Sequence, residues 1–508
     1  MTATSSEAET LPLFRQVMLL VSLSLGTLIF GMAMTVVNVI LPQIQGALSA
    51  TQDQVAWVVT FHIIAVAIAT PLTGWIAGKI GRRRFMTTSI AGFTVSTVLC
   101  GASDSLPELV MWRFAQGLLG APMFPLVQAI LLDVFPRRQH AFVVTSWGLV
   151  AVWGSVIGAV FGGHIGEAIG WRWAFYLIAP IGILAWFGCN FFLSEAWRGR
   201  TQHLDWVGFL SLVVAIGSFQ LMLDRGLRLD WFESPEIIIE AAIASLAFYI
   251  FLVHSLTAPH PFLNLRLLLN RNYSIGLMFG FLFGTLFITP MVLFPPLLQD
   301  LRDFPESIIG TLLSARGLGN WLSFAVVVPL TKFSPRLAVG VGFACHVIAG
   351  VGMAHLDMNL TLWDVFWTNF IQGFALGIIY VPVTVIAFSS LSSRDFAEGA
   401  AVFHMLRNVG SSIFISISVT LVVTSTTTNY AGLTEFATLL NELFRYPGLA
   451  GMWNVEGRAD LINLSAEMQR QAAMIGYINA FYLYTLTACL AFPLLLFVKT
   501  DGDANRRH

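Results

Sequence analysis

Three arginines stand inside long apolar stretches of the sequence, where a charge is costly and therefore informative. Arg113, Arg316 and Arg407 each lie among runs of about twenty mostly uncharged residues. A guanidinium at membrane depth costs roughly 3 kcal/mol or more, so it normally faces a cavity or a partner. Gln116 follows Arg113 on the same face of a helix. We predict that Arg113 and Gln116 line a polar cavity, with a fixed link between helices as the alternative. For Arg316 and Arg407 we favour a structural or gating role.

Residue arrangements typical of enzymes are missing from the sequence. No nucleophile–base pattern or metal-spaced cluster occurs, and Gly74, Gly78 and Lys79 do not complete a phosphate-binding loop. Single histidines on apolar stretches are more typical of hydrogen-bonded packing residues than of proton carriers. These histidines are His62, His346 and His404. The sequence therefore predicts a protein that is not an enzyme and that has no cofactor or metal.

Composition places the chain in the membrane. Of its 508 residues 56% are hydrophobic and 11% are charged, and the mean hydropathy is +0.76. A soluble domain carries about 25% charged residues. The net charge of −1 gives no reason to expect binding to nucleic acid. An integral membrane protein in contact with the lipid bilayer is predicted.

Fourteen apolar runs are long enough to cross the bilayer. Each must satisfy its backbone hydrogen bonds internally, so each is predicted to be a helix of an all-α polytopic membrane protein. The first run follows a leader with Glu7 and Glu9, which is unlike the basic start of a signal peptide. The predicted spans 1 to 14 lie near residues 17–39, 54–77, 85–103, 108–133, 141–166, 172–194, 206–223, 238–257, 273–297, 307–331, 337–355, 362–390, 399–424 and 473–498.

Basic residues between the spans predict the orientation. If the N-terminus is cytoplasmic, 17 of the 27 Lys and Arg lie inside, 7 lie outside and 3 lie within spans. The seven outer ones are Arg172, Arg225, Arg228, Arg302, Arg445, Arg458 and Arg470. Cations favour cytoplasmic loops. Both termini are therefore predicted to be cytoplasmic, and the cluster from Lys79 to Arg84 serves in part as an anchor.

Two segments repeat at nearly the same offset, 256 and 258 residues. "WRFAQG" at 112–117 matches "TNFIQG" at 368–373, and Pro-Leu-Thr at 71–73 matches Pro-Leu-Thr at 329–331. A six-helix unit thus occurs twice in the same orientation, which is typical of transporters that bind substrate between the two units. The predicted organisation is a tail (1–16), a six-helix bundle (17–194), a linker with two extra spans (195–272), a second bundle (273–498) with an outer loop (425–472), and a tail (499–508). Within that outer loop, 436–444 has the spacing of an amphipathic helix.

Several motifs carry a family resemblance. "GWIAGKIGRRR" (74–84), "RFAQGLLGA" (113–121) and "GSVIGAVFGG" (154–163) resemble the loop 2–3, helix 4 and antiporter motifs of the major facilitator superfamily. "TVVNVILPQI" (35–44), "WRWAFYLIAPIG" (171–182), "QLMLDRGLRLDWFES" (220–234) and "RNVGSS" (407–412) resemble its fourteen-helix drug:proton antiporter branch of EmrB-type permeases.

The resemblance implies a function. A secondary transporter of the inner membrane would export amphipathic drugs or toxic compounds in exchange for protons, often beside a periplasmic adaptor and an outer-membrane channel. It implies a cavity that includes Asn38, Gln372 and Tyr380. The implied gating residues are Gly74, Lys79, Gly81, Arg82, Arg83, Gly154, Gly158, Gly162 and Gly163. The alternatives are an importer or exchanger of a specific metabolite or organic anion, and a membrane sensor or assembly subunit that transports nothing.

Three positions depart from the family pattern. Gly78 replaces an acidic residue, Ala159 replaces a proline, and Ala33 replaces an acid of span 1. Because no carboxylate lies deep in spans 1 or 4, we hypothesise that an anionic substrate pairs with Arg113, which should share the depth of Ala33. The rival account gives the proton to a histidine or to a rim acid such as Asp364, with lipophilic cations as the substrates. We also predict that Arg82 to Arg84 brace spans 2 and 3 against span 11.

Overall fold

The computed structural model describes residues 12–50, 52–136, 139–194, 204–259, 261–389, 391, 396–437 and 458–498, and the ordered elements within them are helices. Two short 3-10 segments occupy Trp231–Glu233 and Leu265–Leu269. The α-helices are α1 Leu13–Ala47, α2 Gln52–Ala69, α3 Thr73–Ile80, α4 Arg82–Ala102, α5 Leu106–Gly120, α6 Met123–Val134, α7 His140–Ile169, α8 Trp171–Tyr176, α9 Ile178–Phe192, α10 Trp206–Arg225, α11 Pro235–Thr257, α12 Arg271–Arg302, α13 Glu306–Phe333, α14 Pro335–Ala354, α15 Leu362–Phe388, α16 Phe396–Thr434, α17 Arg458–Cys489 and α18 Ala491–Leu495.

All fourteen predicted spans are present as helices. Thirteen helical stretches of the described chain are long and apolar enough to cross a membrane, and the pair α2–α3 provides the fourteenth. That pair bends by 59° at its break. The bend lies at Pro71, which has no N–H to donate and which crowds the preceding turn.

The helices form two bundles with an inserted pair. The first half comprises α1 to α9 and has an apolar core that includes Ile29, Phe93 and Phe175. The second half comprises α12 to α18 and packs around Phe279 and Phe343. The inserted helices α10 and α11 pack on each other, and α10 also contacts α2 of the first half and α16 of the second. The inserted pair therefore touches both halves.

Equivalent glycines show the internal repeat in the packing. An added Cβ at Gly117 would come within 2.5 Å of the carbonyl oxygen of His62 on α2. At Gly373 an added Cβ would come closer still to the carbonyl oxygen of Arg316 on α13. Since α2 and α13 are in the second span of each unit, the Phe-x-Gln-Gly match marks the same close helix approach in both halves.

The predicted outer loop 425–472 is helical at both of its ends. Helix α16 has 39 residues and α17 has 32, or about 58 Å and 48 Å of helix, against an apolar bilayer thickness of about 30 Å. The two helices continue past the spans and stay paired, since the hydroxyls of Tyr430 and Ser465 lie 2.8 Å apart. Counting apolar residues could not predict these helix extensions, because the residues that form them are polar. Most of the predicted amphipathic helix 436–444 lies outside the described residues.

Candidate substrate cavity

A cavity of about 460 Å³ lies between the two halves. Its size falls within the range of small-molecule sites. Its apolar wall combines many aliphatic side chains with six large aromatic ones: Phe30, Phe124, Trp147, Phe283, Phe287 and Phe324. Of the cavity residues predicted from the sequence, Asn38 and Tyr380 line it. The wall suits a ligand with a large apolar body and few polar groups.

Arg407 lies in the cavity wall, whereas the sequence led us to favour a structural or gating role for it. Its Nη2 donates to the side-chain oxygen of Asn408 at 3.2 Å, and its guanidinium carbon lies 5.4 Å from the ring centre of Phe124 on the other half. Among the described residues no carboxylate lies within 4 Å of it. The guanidinium is therefore available to an anion, for which its planar fork of donors is well suited.

Arg113 and Gln116 do not line the cavity, so that prediction is wrong for both. Arg113 is 1% exposed and donates to the carbonyl oxygens of Val58 at 3.1 Å and Ala33 at 3.3 Å, and to Oε1 of Gln116. Gln116 in turn donates to the hydroxyl of Thr97 at 2.6 Å. Arg113 does share the depth of Ala33, as predicted. However, oxygens of the protein already surround the guanidinium, so a substrate anion is not needed there.

Gln372 and Arg316 also lie outside the central cavity. Gln372 is fully buried and donates to the carbonyl oxygen of Leu286 at 3.1 Å. Arg316 donates to the carbonyl oxygen of Phe287, and its guanidinium carbon lies 4.6 Å from the ring centre of that residue. It borders a separate void of about 10 Å³ between α7 and α13. Both side chains contact α12 within the second half, so the cavity role predicted for Gln372 is wrong.

Asp224 is a cavity residue that the sequence did not single out. Its carboxylate lies in the wall and accepts a hydrogen bond from the hydroxyl of Thr60 at 2.7 Å. The residue follows the seventh apolar run directly and therefore resembles an ordinary rim acid. A usable signal was present, since Gln220 and Asp224 stand four residues apart on one face of α10.

Contacts between the halves lie on both sides of the cavity. We call the end of the bundle with Lys79 and Lys332 the basic face. Toward this face, the ring of His404 on α16 hydrogen-bonds Oε1 of Gln128 on α6 at 3.0 Å. At the opposite face, Gln43 of α1 donates to the carboxylate of Glu306 on α13 at 2.9 Å. Opening either end of the cavity must break contacts of this kind.

The glycine stripe of α7 serves two interfaces. Gly154, Gly158 and Gly162 face α1 of the same half, where an added Cβ at Gly158 would lie 2.6 Å from the carbonyl oxygen of Met32. Gly163 instead faces the second half, and its added Cβ would lie 2.5 Å from a backbone oxygen of Glu306. Small residues permit this close approach. Of these four, Gly163 has its nearest neighbours in the partner half, and a gating role for the stripe stays a prediction.

The basic loop contacts its own half. Arg82 forms an ion pair with Asp133 at the end of α6, and Arg83 donates to the backbone oxygen of Asn190 on α9 at 2.6 Å. These contacts hold the start of α4 to the ends of α6 and α9. The bracing of spans 2 and 3 against span 11 by Arg82 to Arg84 stays a prediction.

The remaining loop residues have local contacts. Gly81 joins α3 to α4 with φ of 90°, which favours glycine. The amine of Lys79 lies 4.9 Å from the ring centre of Trp75, one turn earlier. An added Cβ at Gly74 would meet no atom within 4 Å. A gating role for these residues stays a prediction.

The groups proposed as alternative proton carriers have other partners. His62 bonds the backbone oxygen of Arg113 at 3.1 Å, and His346 bonds the hydroxyl of Tyr484 at 2.6 Å. Asp364 accepts the backbone N–H at the start of α15 at 2.8 Å and caps that helix. Of the histidines and the rim acid considered, His404 is the one in the cavity wall.

Comparison with known proteins agrees with this architecture. The chain is 31% identical over 426 residues to the Multidrug export protein EmrB of Escherichia coli K12, covering 82% of each chain. It is 30% identical over 405 residues to the Fatty acid resistance protein FarB of Neisseria gonorrhoeae, covering 79% of this chain and 80% of the relative. A crystal structure of a bacterial homologue of the human lysosomal transporter Spinster, inward-facing and unoccupied, shares the fold with a TM-score of 0.59 at 17% identity, covering 96% of this chain and 100% of that one. Residues 23–415 match the Major Facilitator Superfamily, and the chain belongs to that family.

Proposed function

We propose that this protein exports amphipathic compounds across the inner membrane by alternating access, in exchange for protons. The observation that carries the proposal is the aromatic cavity between the two repeated halves, with contacts between the halves on both sides of it. Such a cavity can open to one side only when contacts on that side break. Relatives at about 30% identity include proteins named for multidrug export and for fatty acid resistance.

Arg407 gives the cavity a binding point for the head group of amphipathic anions. Its guanidinium faces the cavity and has no carboxylate partner among the described residues. A carboxylate or similar head group would pair with it, while the apolar body of the substrate packs on the aromatic wall. This replaces Arg113 with Arg407 as the residue that recognises a substrate anion.

The direction of transport rests on the distribution of charge. The excess of Lys and Arg on the basic face supports cytoplasmic termini. The proton gradient is the energy source in this proposal, and no cofactor takes part. The paired extensions of α16 and α17 project from the opposite face and offer a contact for a periplasmic adaptor that leads to an outer-membrane channel.

Proteoliposomes with an imposed proton gradient test the proposal. Wild-type protein should move a fluorescent amphipathic carboxylate against its gradient, and collapse of the proton gradient should stop the movement. Arg407→Gln should abolish that transport. Arg336→Gln removes the same charge from the basic face outside the cavity and should leave transport unchanged. Transport that ignores the proton gradient, or that concentrates the compound with the protons, would contradict the proposal.

A further inference from the structure

Asp224 stands alone in the cavity wall. Among the described residues that line the cavity it is the one carboxylate, and the hydroxyl of Thr60 is its hydrogen-bond donor. It comes from α10, one of the two helices inserted between the repeats. The two six-helix units therefore provide Arg407 and most of the apolar wall, and the inserted pair provides the negative charge.

The nearest cation along the chain is already engaged elsewhere. Arg225 bonds Glu240 at 3.2 Å and forms an ion pair with Glu236, both on α11. No Lys, Arg or His of the described chain lies within 4 Å of the Asp224 carboxylate. Arg225 acts on the Asp224 carboxylate electrostatically but does not form a direct ion pair with it. Because the carboxylate is exposed in the cavity wall, a cationic ligand there can pair with it directly.

The negative charge lies far from the positive one. The hydroxyl of Ser416 on α16 donates to the backbone oxygen of Leu223, so Asp224 is held at the level of Ser416. Ser416 follows Arg407 by nine residues, and nine residues of helix rise about 13 Å. The cavity thus has a cationic end toward the basic face and an anionic end toward the opposite face.

We infer that Asp224 forms a second, cation-selective subsite in this cavity. Amphipathic cations bind with their charge at Asp224 and their apolar groups on the aromatic wall. Amphipathic anions use Arg407, and a zwitterion with its charges on the order of 13 Å apart engages both. The inference rests on the proposed function, because it assumes that the cavity is the substrate site.

Two probes of the same shape and opposite charge separate the subsites. Tetraphenylphosphonium and tetraphenylborate would be titrated against the purified full-length protein in detergent, and each Kd measured by equilibrium dialysis. Asp224→Asn should weaken tetraphenylphosphonium at least about tenfold and leave tetraphenylborate unchanged or tighter. Asp224→Glu keeps the charge and should bind the cation nearly as wild type does. Arg407→Gln should weaken tetraphenylborate alone.

Asp230→Asn is the matched control. Asp230 lies six residues further along, outside the cavity wall, with φ of 54° that asparagine tolerates as well as aspartate does. It should leave both probes unaffected. Equal loss of both probes in Asp224→Asn, or an unchanged Kd for the cation, would overturn the subsite. Wild-type protein that binds tetraphenylborate but not the cation would also overturn it and leave the proposed function standing. Wild-type protein that binds neither probe would refute the proposed function as well.

Discussion

Replacing Arg113 by methionine should destabilise the protein without acting on the substrate site. The substitution removes three hydrogen bonds from a charged donor inside the first half. The carbonyls of Val58 and Ala33 retain the helix bonds of α2 and α1, so the amide oxygen of Gln116 is the acceptor left without a partner. An unsatisfied buried acceptor costs about 1–3 kcal/mol. The shorter side chain adds a small void, and the combined loss should be roughly 2–4 kcal/mol.

Arg407→Met is the matched comparison for Arg113→Met. It makes the same chemical change on a side chain that faces the cavity and has one hydrogen bond, to Asn408. The freed amide of Asn408 can turn to water in the cavity, so the loss of stability should stay below about 1 kcal/mol. Efflux of amphipathic anions should nevertheless be abolished in this variant.

Thermal unfolding and transport distinguish the two arginines. Both variants would be heated in detergent at one scan rate, because unfolding of a membrane protein of this size is commonly irreversible. Arg113→Met should unfold several degrees below wild type, and the fraction that remains folded should still bind an amphipathic anion. Suppose instead that Arg113→Met unfolds with the wild-type midpoint and loses anion binding. Arg113 would then act in recognition, and the assignment of the cavity would be wrong.

Three further perturbations follow from single contacts. Gly373→Ala places a Cβ against a backbone oxygen of α13 and should lower the unfolding midpoint, at a cost of about 1–3 kcal/mol. The added Cβ of Gly148→Ala meets no atom within 4 Å, so this variant should unfold at the wild-type midpoint. Equal midpoints for the two variants would contradict this packing. Glu306→Gln removes the repulsion between Glu306 and Glu167 across the halves and keeps the contact with Gln43 on α1. The contact between the halves becomes harder to break, so efflux should slow. An unchanged turnover in proteoliposomes would refute a gate at this contact. Asp205→Asn should destabilise the inserted pair: burial alone raises the pKa of Asp205, but the N–H groups of Gly208 and Phe262 and the ring of His254 outweigh burial and lower it. The pKa of Asp205 is lower in the folded than in the unfolded protein, where it is about 3.9. Wild type should therefore unfold at a higher temperature than Asp205→Asn above that pH, and the difference should disappear as the pH falls through the folded-state pKa. A difference that persists in acid would contradict this.

The fold could be predicted from the sequence because membrane spans depend on properties summed over many residues. An apolar run of about twenty residues that crosses the bilayer must satisfy its backbone hydrogen bonds internally and is therefore a helix. Phe-x-Gln-Gly repeats because two helices approach closely in each half. The site depends on the rotation of single helices, which hydropathy does not record. Arg113 and Arg407 have similar apolar neighbours in sequence, yet one points into a ring of carbonyl oxygens and the other into the cavity. Asp224 was missed for the same reason, since its run of neighbours cannot show that α10 lies beside α2.

The separation of Arg407 and Asp224 explains how one cavity can keep both charges available. For a separation of about 13 Å, the offset of their backbone positions along the helix axis, the attraction is about 0.3 kcal/mol in water and about 1.3 kcal/mol at an effective dielectric constant of 20. Either value is too small for one group to neutralise the other, so a ligand of either sign meets a charge that still needs a partner. The two charges nevertheless cancel in sum, and the empty cavity therefore attracts neither sign at long range. Selection between substrates then rests on which end of the cavity the head group reaches, and the aromatic wall between Phe124 and Phe287 holds the apolar body in either case.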